Sequence, residues 1–95
     1  MLHFLKGKIY DKQKLYEKAI ERYQSAITCS KHLKHPDKLM GDMKFRLGWS
    51  HVRARIDIDK GLALLEEASN LLPDNVEVLL KMAGAFFMEN NQELD

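Results

Sequence analysis

The sequence predicts one all-α domain, and three observations support that fold class. Only 2 prolines and 5 glycines occur in 95 residues, whereas the helix-favouring Leu, Ala, Lys and Glu are abundant. Apolar residues recur at three- and four-residue steps, which is the period of an amphipathic helix. Short turn-forming stretches separate five such segments. A chain of this length is near the lower limit for a self-sufficient core, so a single domain over residues 1–95 is expected.

The N-terminal third is expected to form two helices. Helix one is predicted from about His3 to Lys12, and helix two from about Leu15 to His32. The apolar positions of helix one are Phe4, Leu5, Ile9 and Tyr10. Those of helix two are Tyr16, Ala19, Ile20, Tyr23, Ala26 and Ile27. Each helix therefore has one face to bury.

The stretch "KHPDK" separates helix two from helix three. Pro36 disfavours helical geometry at the residue before it and can itself open a helix. Helix three is therefore predicted from Pro36 or Asp37 to Ala54.

Two further helices are expected in the C-terminal half. Asp57 or Asp59 is the predicted N-cap of helix four, which ends at Pro73. Asp74 or Asn75 is the predicted N-cap of helix five, which covers "VEVLLKMAGAFFMEN".

Small residues recur at matching places in this helical pattern. Ala19, Tyr23 and Ala26 in helix two have the same spacing as the set Gly61, Leu65 and Ala68 in helix four. In the odd helices a small residue precedes a larger one by three positions: Gly7 and Tyr10, Gly48 and His51, Ala83 and Phe86. We expect the small residues to lie where helices cross closely, with the larger ones filling the space beside each crossing.

This pattern resembles the tetratricopeptide repeat, a helix-turn-helix unit of 34 residues. The resemblance divides the chain into repeat one (about 2–36), repeat two (about 37–75) and the first helix of repeat three (about 76–91). Matching positions include Gly7, Tyr10, Ala19, Tyr23 and Ala26, then Leu47, Gly48, Gly61, Leu65 and Ala68, then Leu79, Met82, Ala83 and Phe86. Seven or eight additional residues between the first two units depart from the family pattern. A generic antiparallel helical bundle is the alternative.

The resemblance implies a non-catalytic scaffold or adaptor within a larger assembly. In this family the first helices line a concave groove that binds a peptide or helix. The implied groove residues are Leu5, Lys8, Lys12, Phe45, Arg46, Trp49, Arg53, Leu80, Lys81, Phe87 and Met88. An apolar floor with a basic fringe predicts an amphipathic or acidic partner segment.

A C-terminal edge is expected beside this groove. Leu79, Met82 and Phe86 would lack the second helix of repeat three. An exposed apolar surface of that kind is expected to be covered by another protein, by self-association or by further sequence of a longer protein.

Two alternative functions come from other parts of the sequence. The stretch "FRLGWSHVRARIDIDKGLALLEEA" resembles the central repeat of the tail-anchored mitochondrial fission adaptors, which would imply an adaptor at an organelle membrane. The spacing of Cys29, His32 and His35 offers three metal ligands, although structural zinc normally takes four, and Cys29 is also a candidate reactive thiol. No motif indicates a catalytic residue, a metal site or a cofactor, so an enzyme is not expected.

Charge is distributed unevenly along the chain. Residues 1–60 contain 14 Lys or Arg and 7 Asp or Glu, a net of +7, whereas residues 61–95 contain one Lys and 7 acids, a net of −6. The basic residues are scattered without a nucleic-acid motif, so no nucleic-acid partner is expected. Neither a membrane span nor a signal sequence is evident, and the single Cys fits a reducing compartment. An intracellular, cytoplasmic protein is therefore expected, with organelle association as an option.

Overall fold

The computed structural model describes residues 2–30 and 37–94, and the side chains of 2–30 and 37–89. Those residues form five helices and no strand, which confirms the all-α prediction. The helices are α1 (Leu2–Lys12), α2 (Tyr16–Cys29), α3 (Asp37–Ala54), α4 (Ile58–Leu71) and α5 (Val76–Leu94). The expected end of helix two at His32 and start of helix three at Pro36 lie outside the described residues. Within the described ranges, no helix is long and apolar enough to cross a bilayer.

Consecutive helices pack against each other along the chain. α1 packs on α2, α2 on α3, α3 on α4 and α4 on α5, and α3 also contacts α5. The molecule measures 43 × 28 × 19 Å along its principal axes. This sequential packing produces two hydrophobic core clusters. The first core cluster contains Phe4, Ala19, Tyr23, Ala26, Met43 and Leu47. The second core cluster contains Phe45, Val52, Leu65, Ala68, Val78 and Ala85.

The turns that follow α1 and α3 begin with the same backbone geometry, although the N-cap that ends the second turn, Asp57 (φ 49°), is also left-handed, whereas Leu15 (φ −92°) in the first turn is not. Each contains a left-handed residue, Lys14 (φ 61°) in the first turn and Arg55 (φ 58°) in the second. In each turn the N–H of that residue donates to the carbonyl oxygen three positions earlier, and the next N–H donates to the carbonyl oxygen five positions earlier. This is the Schellman arrangement, which satisfies the last carbonyl groups of a helix. Two helical hairpins, α1–α2 and α3–α4, therefore end their first helix in the same way.

Small residues allow the helices within each hairpin to approach closely. A Cβ atom added at Gly48 would lie 2.8 Å from the carbonyl oxygen of Gly61, and one added at Gly61 would lie 2.8 Å from the Cβ of His51. A Cβ atom at Gly7 would lie 2.6 Å from the ring of Tyr23. The expectation that small residues mark the crossings is met at these three positions.

α5 buries different small residues from those in the repeated pattern. Val78 and Ala85 belong to the second core cluster, whereas Ala83 is exposed and a Cβ atom added at Gly84 would meet nothing within 4 Å. Asn75 caps this helix, because its side-chain oxygen accepts a hydrogen bond from the N–H of Val78 at 3.1 Å. α5 is therefore held by one side, and its opposite side faces outward.

Candidate functional site

One face of α3 carries three of the predicted groove residues, Arg46, Trp49 and Arg53, together with Asp42. Asp42, Arg46, Trp49 and Arg53 follow one another at steps of four, three and four, which places them in one row along a helix. α1 contributes side chains to the first half of this row, and α5 contributes Lys81 to the second half. α3 is thus the central element of the site.

The first half of the row is organised around the ring of Phe4. The ammonium group of Lys8 lies 4.6 Å from the ring centroid, and the guanidinium of Arg46 lies 6.0 Å from it. Both distances are within the range of a cation–π interaction. The Nε–H of Arg46 also donates to the carboxylate of Asp42 at 3.1 Å. These contacts hold two cations of different helices beside one aromatic ring.

The electrostatic surroundings keep Arg46 charged. Burial lowers the pKa of the guanidinium, but the nearby Asp42 carboxylate and Tyr23 phenol outweigh it, so the pKa lies above its ordinary value. Arg46 therefore remains cationic while it is half-buried, and a half-buried cation attracts an anionic group more strongly than one fully in water.

The second half of the row is organised around Trp49. The ammonium group of Lys81 lies 4.7 Å from the indole centroid, and the guanidinium of Arg53 lies 5.9 Å from it. Arg53 also lies 5.7 Å from the ring of Tyr16, at the start of α2. Trp49 is half-buried against the second core cluster, so part of the indole is accessible between the two cations.

Together these residues form one surface, which we call the basic aromatic face. Its members are Lys8, Arg46, Trp49, Arg53 and Lys81, and the ring of Phe4, which is only 3% exposed, lies beneath its first half. An apolar depression of about 470 Å³ adjoins its α1 end, lined by Leu2, Phe4, Leu5, Lys8 and Leu39. Cations held over rings beside an apolar depression can bind a segment with both carboxylates and apolar side chains.

The structure brings together five of the predicted groove residues and places the others elsewhere. Lys8, Arg46, Trp49, Arg53 and Lys81 lie on the basic aromatic face, and Leu5 lines the adjoining depression. Phe45 is only 8% exposed and belongs to the second core cluster, so it lies beneath the surface. The remaining predicted groove residues are exposed: Lys12, Leu80, Phe87 and Met88.

Three contributors to this surface were not among the predicted groove residues. Phe4 and Tyr16 had been assigned to the buried faces of their helices, and Asp42 had not been singled out. The step of four between Asp42 and Arg46 is a signal for an ion pair on a helix. Phe4 is buried, as predicted, and Tyr16 is half-buried, but helical periodicity gives no sign that a cation lies over either ring.

The two other predicted sites are the C-terminal edge and the possible metal ligands around Cys29. Leu79 and Phe86 of the predicted C-terminal edge are exposed, whereas Met82 is half-buried against the second core cluster. Cys29 is exposed, and His32 and His35 lie outside the described residues. Among residues 2–30 and 37–89, no three His, Cys, Asp or Glu side chains are grouped as metal ligands would be.

Comparison of the chain with protein-family models, curated proteins and solved structures finds no match in any of the three. Functional inference for this chain therefore rests on its own contacts and chemistry.

Proposed function

We propose that this protein is a non-catalytic adaptor of the tetratricopeptide type that binds an amphipathic, acidic helix or peptide. The observation that supports this function is the basic aromatic face, where α1, α3 and α5 supply four cations around two rings. In a tetratricopeptide arrangement these three helices are the first helices of successive units. Their convergence on one surface is the feature that such a binding groove requires.

The chemistry of this face favours an acidic partner. Lys8, Arg53 and Lys81 each contact a ring, and no described ion pair involves any of the three. Carboxylates of a bound segment can approach these cations while its apolar side chains contact the exposed part of Trp49. Steering by the net positive charge of residues 1–60 would accelerate encounter with such a segment.

The internal similarity of the two hairpins supports the repeat interpretation. Lys14 and Arg55 are 41 positions apart (55 minus 14), as are Gly7 and Gly48 (48 minus 7). The first pair ends α1 and α3 with the same two hydrogen bonds, and each member of the second pair faces the following helix at close range. A repeated unit accounts for both coincidences, whereas a generic bundle has no need of them.

Trp49 provides a direct measurement, because it is the only tryptophan in the chain. The probe is a synthetic 18-residue helical peptide with Leu at heptad-type spacing and Glu on both flanks of the apolar stripe. We expect saturable quenching or shift of the Trp49 emission with a dissociation constant of about 1–100 μM. A peptide with Lys in place of every Glu should bind at least about tenfold more weakly.

A matched pair of charge reversals locates the binding surface. Arg53→Glu should weaken binding of the acidic peptide about tenfold or more, because it places a carboxylate beside Trp49. Lys60→Glu makes the same change in net charge on α4, away from the basic aromatic face, and should bind nearly as wild type. Equal weakening by the two variants, or equal binding of the Glu and Lys peptides, would contradict a specific site.

A further inference from the structure

The outward side of α5 is an apolar surface with two small residues, Ala83 and Gly84, at its middle. Val76, Leu80 and Phe87 are 65%, 67% and 65% exposed. At about 3.6 residues per turn they fall in one row, on the opposite side of α5 from the buried Val78 and Ala85. The small Ala83 and Gly84 lie between Leu80 and Phe87. We call the row formed by Val76, Leu80, Ala83, Gly84 and Phe87 the outer face of α5.

α1 carries a second exposed apolar row at the other end of the helix order. Leu2, Leu5 and Ile9 are 64%, 57% and 49% exposed, and their steps of three and four place them in one row. This outer stripe of α1 lies opposite the buried Gly7, and its Leu2 and Leu5 also line the depression beside the basic aromatic face. The molecule thus has one apolar row on its first helix and another on its last.

Charge determines which surface is complementary to the outer face of α5. α5 contains three Glu and one Lys, a net charge of −2, whereas α1 contains three Lys and one Asp, a net charge of +2. The same asymmetry extends over the whole chain, +7 for residues 1–60 and −6 for residues 61–95. Glu89 is paired with Arg55, so the complementarity is between the two ends of the molecule. Pairing the acidic end of one copy with the acidic end of another would bring like charges together, whereas pairing it with the basic end brings opposite charges together.

From these two rows and their charges we propose that the protein associates head to tail. The outer face of α5 of one copy binds the outer stripe of α1 of a second copy. Ala83 and Gly84 allow the incoming helix to approach closely, as Gly48 and Gly61 do between α3 and α4. Because the two surfaces differ, a pair of copies still has one outer stripe of α1 and one outer face of α5 free. Further copies can add at either surface, so the assembly grows with concentration instead of stopping at a dimer.

Sedimentation velocity from about 5 to 500 μM at low salt tests the association. The weight-average mass should exceed the monomer value of 11.0 kDa and rise with concentration. Ile9→Asp and Leu80→Asp, each at an exposed position, should remain monomeric when studied alone. An equimolar mixture of the two variants should form a 1:1 dimer, because each retains the surface that the other lacks.

Three controls make the outcome decisive. Leu15→Asp introduces the same charge at an exposed leucine outside both rows and should associate as wild type. Raising NaCl from about 0.02 to 0.3 M should weaken association, because screening reduces attraction between opposite charges. Circular dichroism of each variant verifies that the helices are retained. A wild-type monomer at every concentration, an Ile9→Asp variant that still dimerises, or association that strengthens in NaCl would overturn the proposal.

Discussion

Tyr23 is the residue at which most of the first hairpin's interactions meet. Its ring is fully buried, lies 5.8 Å from that of Phe4 and faces Gly7 at close range. Its hydroxyl donates to the carboxylate of Asp11 at 3.3 Å. Burial raises the pKa of the Tyr23 phenol well above its ordinary value, and the Asp11 carboxylate raises it further. The folded protein therefore holds this proton more tightly than the unfolded chain does.

This difference predicts a loss of stability in alkali. The unfolded phenol ionises near pH 10, whereas the folded phenol stays protonated to a higher pH, so Tyr23 contributes its full share of stability below about pH 10 and loses it as the pH rises further. The loss attributable to Tyr23 should reach about 1.4 kcal/mol per pH unit. Urea unfolding of wild type and Tyr23→Phe at several pH values measures it.

At neutral pH the Tyr23→Phe variant should be less stable by about 0.5–1.5 kcal/mol, because it lacks the hydrogen bond to Asp11. The gap between variant and wild type should narrow and then reverse above about pH 10, since phenylalanine does not titrate. If the difference in free energy of unfolding between variant and wild type does not change between neutral and alkaline pH, burial does not favour the protonated phenol.

The sequence predicted which single residues are buried at the helix crossings, but not which residues adopt a left-handed backbone. The small residues Ala19, Ala26 and Ala68 and the larger Tyr23 and Leu65 were expected at helix crossings, and all five are buried. The left-handed conformation of Lys14 and Arg55 was not foreseen, because glycine is the usual residue there and lysine and arginine give no local signal for it. The packing of each hairpin imposes that conformation.

At the scale of helices, the crossing of α3 over α4 is where glycines bring the backbones of two helices close together. A methyl group at Gly61 would lie 2.8 Å from the Cβ of His51 and 2.9 Å from the carbonyl oxygen of Gly48. The second of these neighbours is backbone, which cannot move aside without displacing a helix. The crossing therefore depends on the absence of a side chain.

Gly61→Ala should consequently destabilise the protein by about 1–3 kcal/mol, because the two helices must separate to accommodate the methyl group. Gly84→Ala is the matched control, since it is also within a helix but has open space around the added atom. That change should stabilise by about 0.5–1 kcal/mol, the ordinary gain of Ala over Gly in a helix. Urea unfolding at low micromolar concentration measures both, and two effects of the same sign would contradict the close crossing.

Helix positions were largely predictable because the apolar periodicity and the turn-forming residues indicated the same boundaries. The predicted and observed ends of the first helix both lie at Lys12, and those of the third at Ala54. Asp57 and Asn75, both expected as N-caps, accept hydrogen bonds from the third N–H that follows. The burial of α5 was less predictable, because Ala83 and Ala85 are equally small and only the position of α4 decides which is covered.

At the scale of the whole molecule, burial is shared unequally between the helices. α3 contacts α2, α4 and α5 and supplies buried residues to both core clusters, whereas α5 contributes Val78 and Ala85 to one of them. An ion pair between Arg55 and Glu89, at 3.8 Å and partly exposed, adds little to its attachment. α5 is therefore expected to open more readily than α3.

Native-state hydrogen exchange tests this difference. Amides in the middle of α3 should exchange only through global unfolding, whereas those of α5 should exchange through local opening at a lower free energy. The measurement is made at a few micromolar protein, where the proposed association is weak. Equal protection of the two helices would show that α5 and α3 unfold as one cooperative unit.

Only the part of the basic aromatic face that lies on α3 was predictable from residue spacing. Arg46, Trp49 and Arg53 share a row by spacing alone, but their proximity to Lys8 and Lys81 depends on how α1 and α5 flank α3. The resemblance to a helical repeat supplied that arrangement, whereas composition and periodicity did not. Phe45 was misplaced because one turn of α3 presents residues to both the surface and the core.

The 19 Å short axis corresponds to about two helix diameters. A plate of that depth has an interior only one layer of side chains thick, so most positions adjoin either the core or a broad face. Substitutions on the broad faces should therefore change the free energy of unfolding by about 0.5 kcal/mol or less, whereas substitutions in the single buried layer should lower it by more.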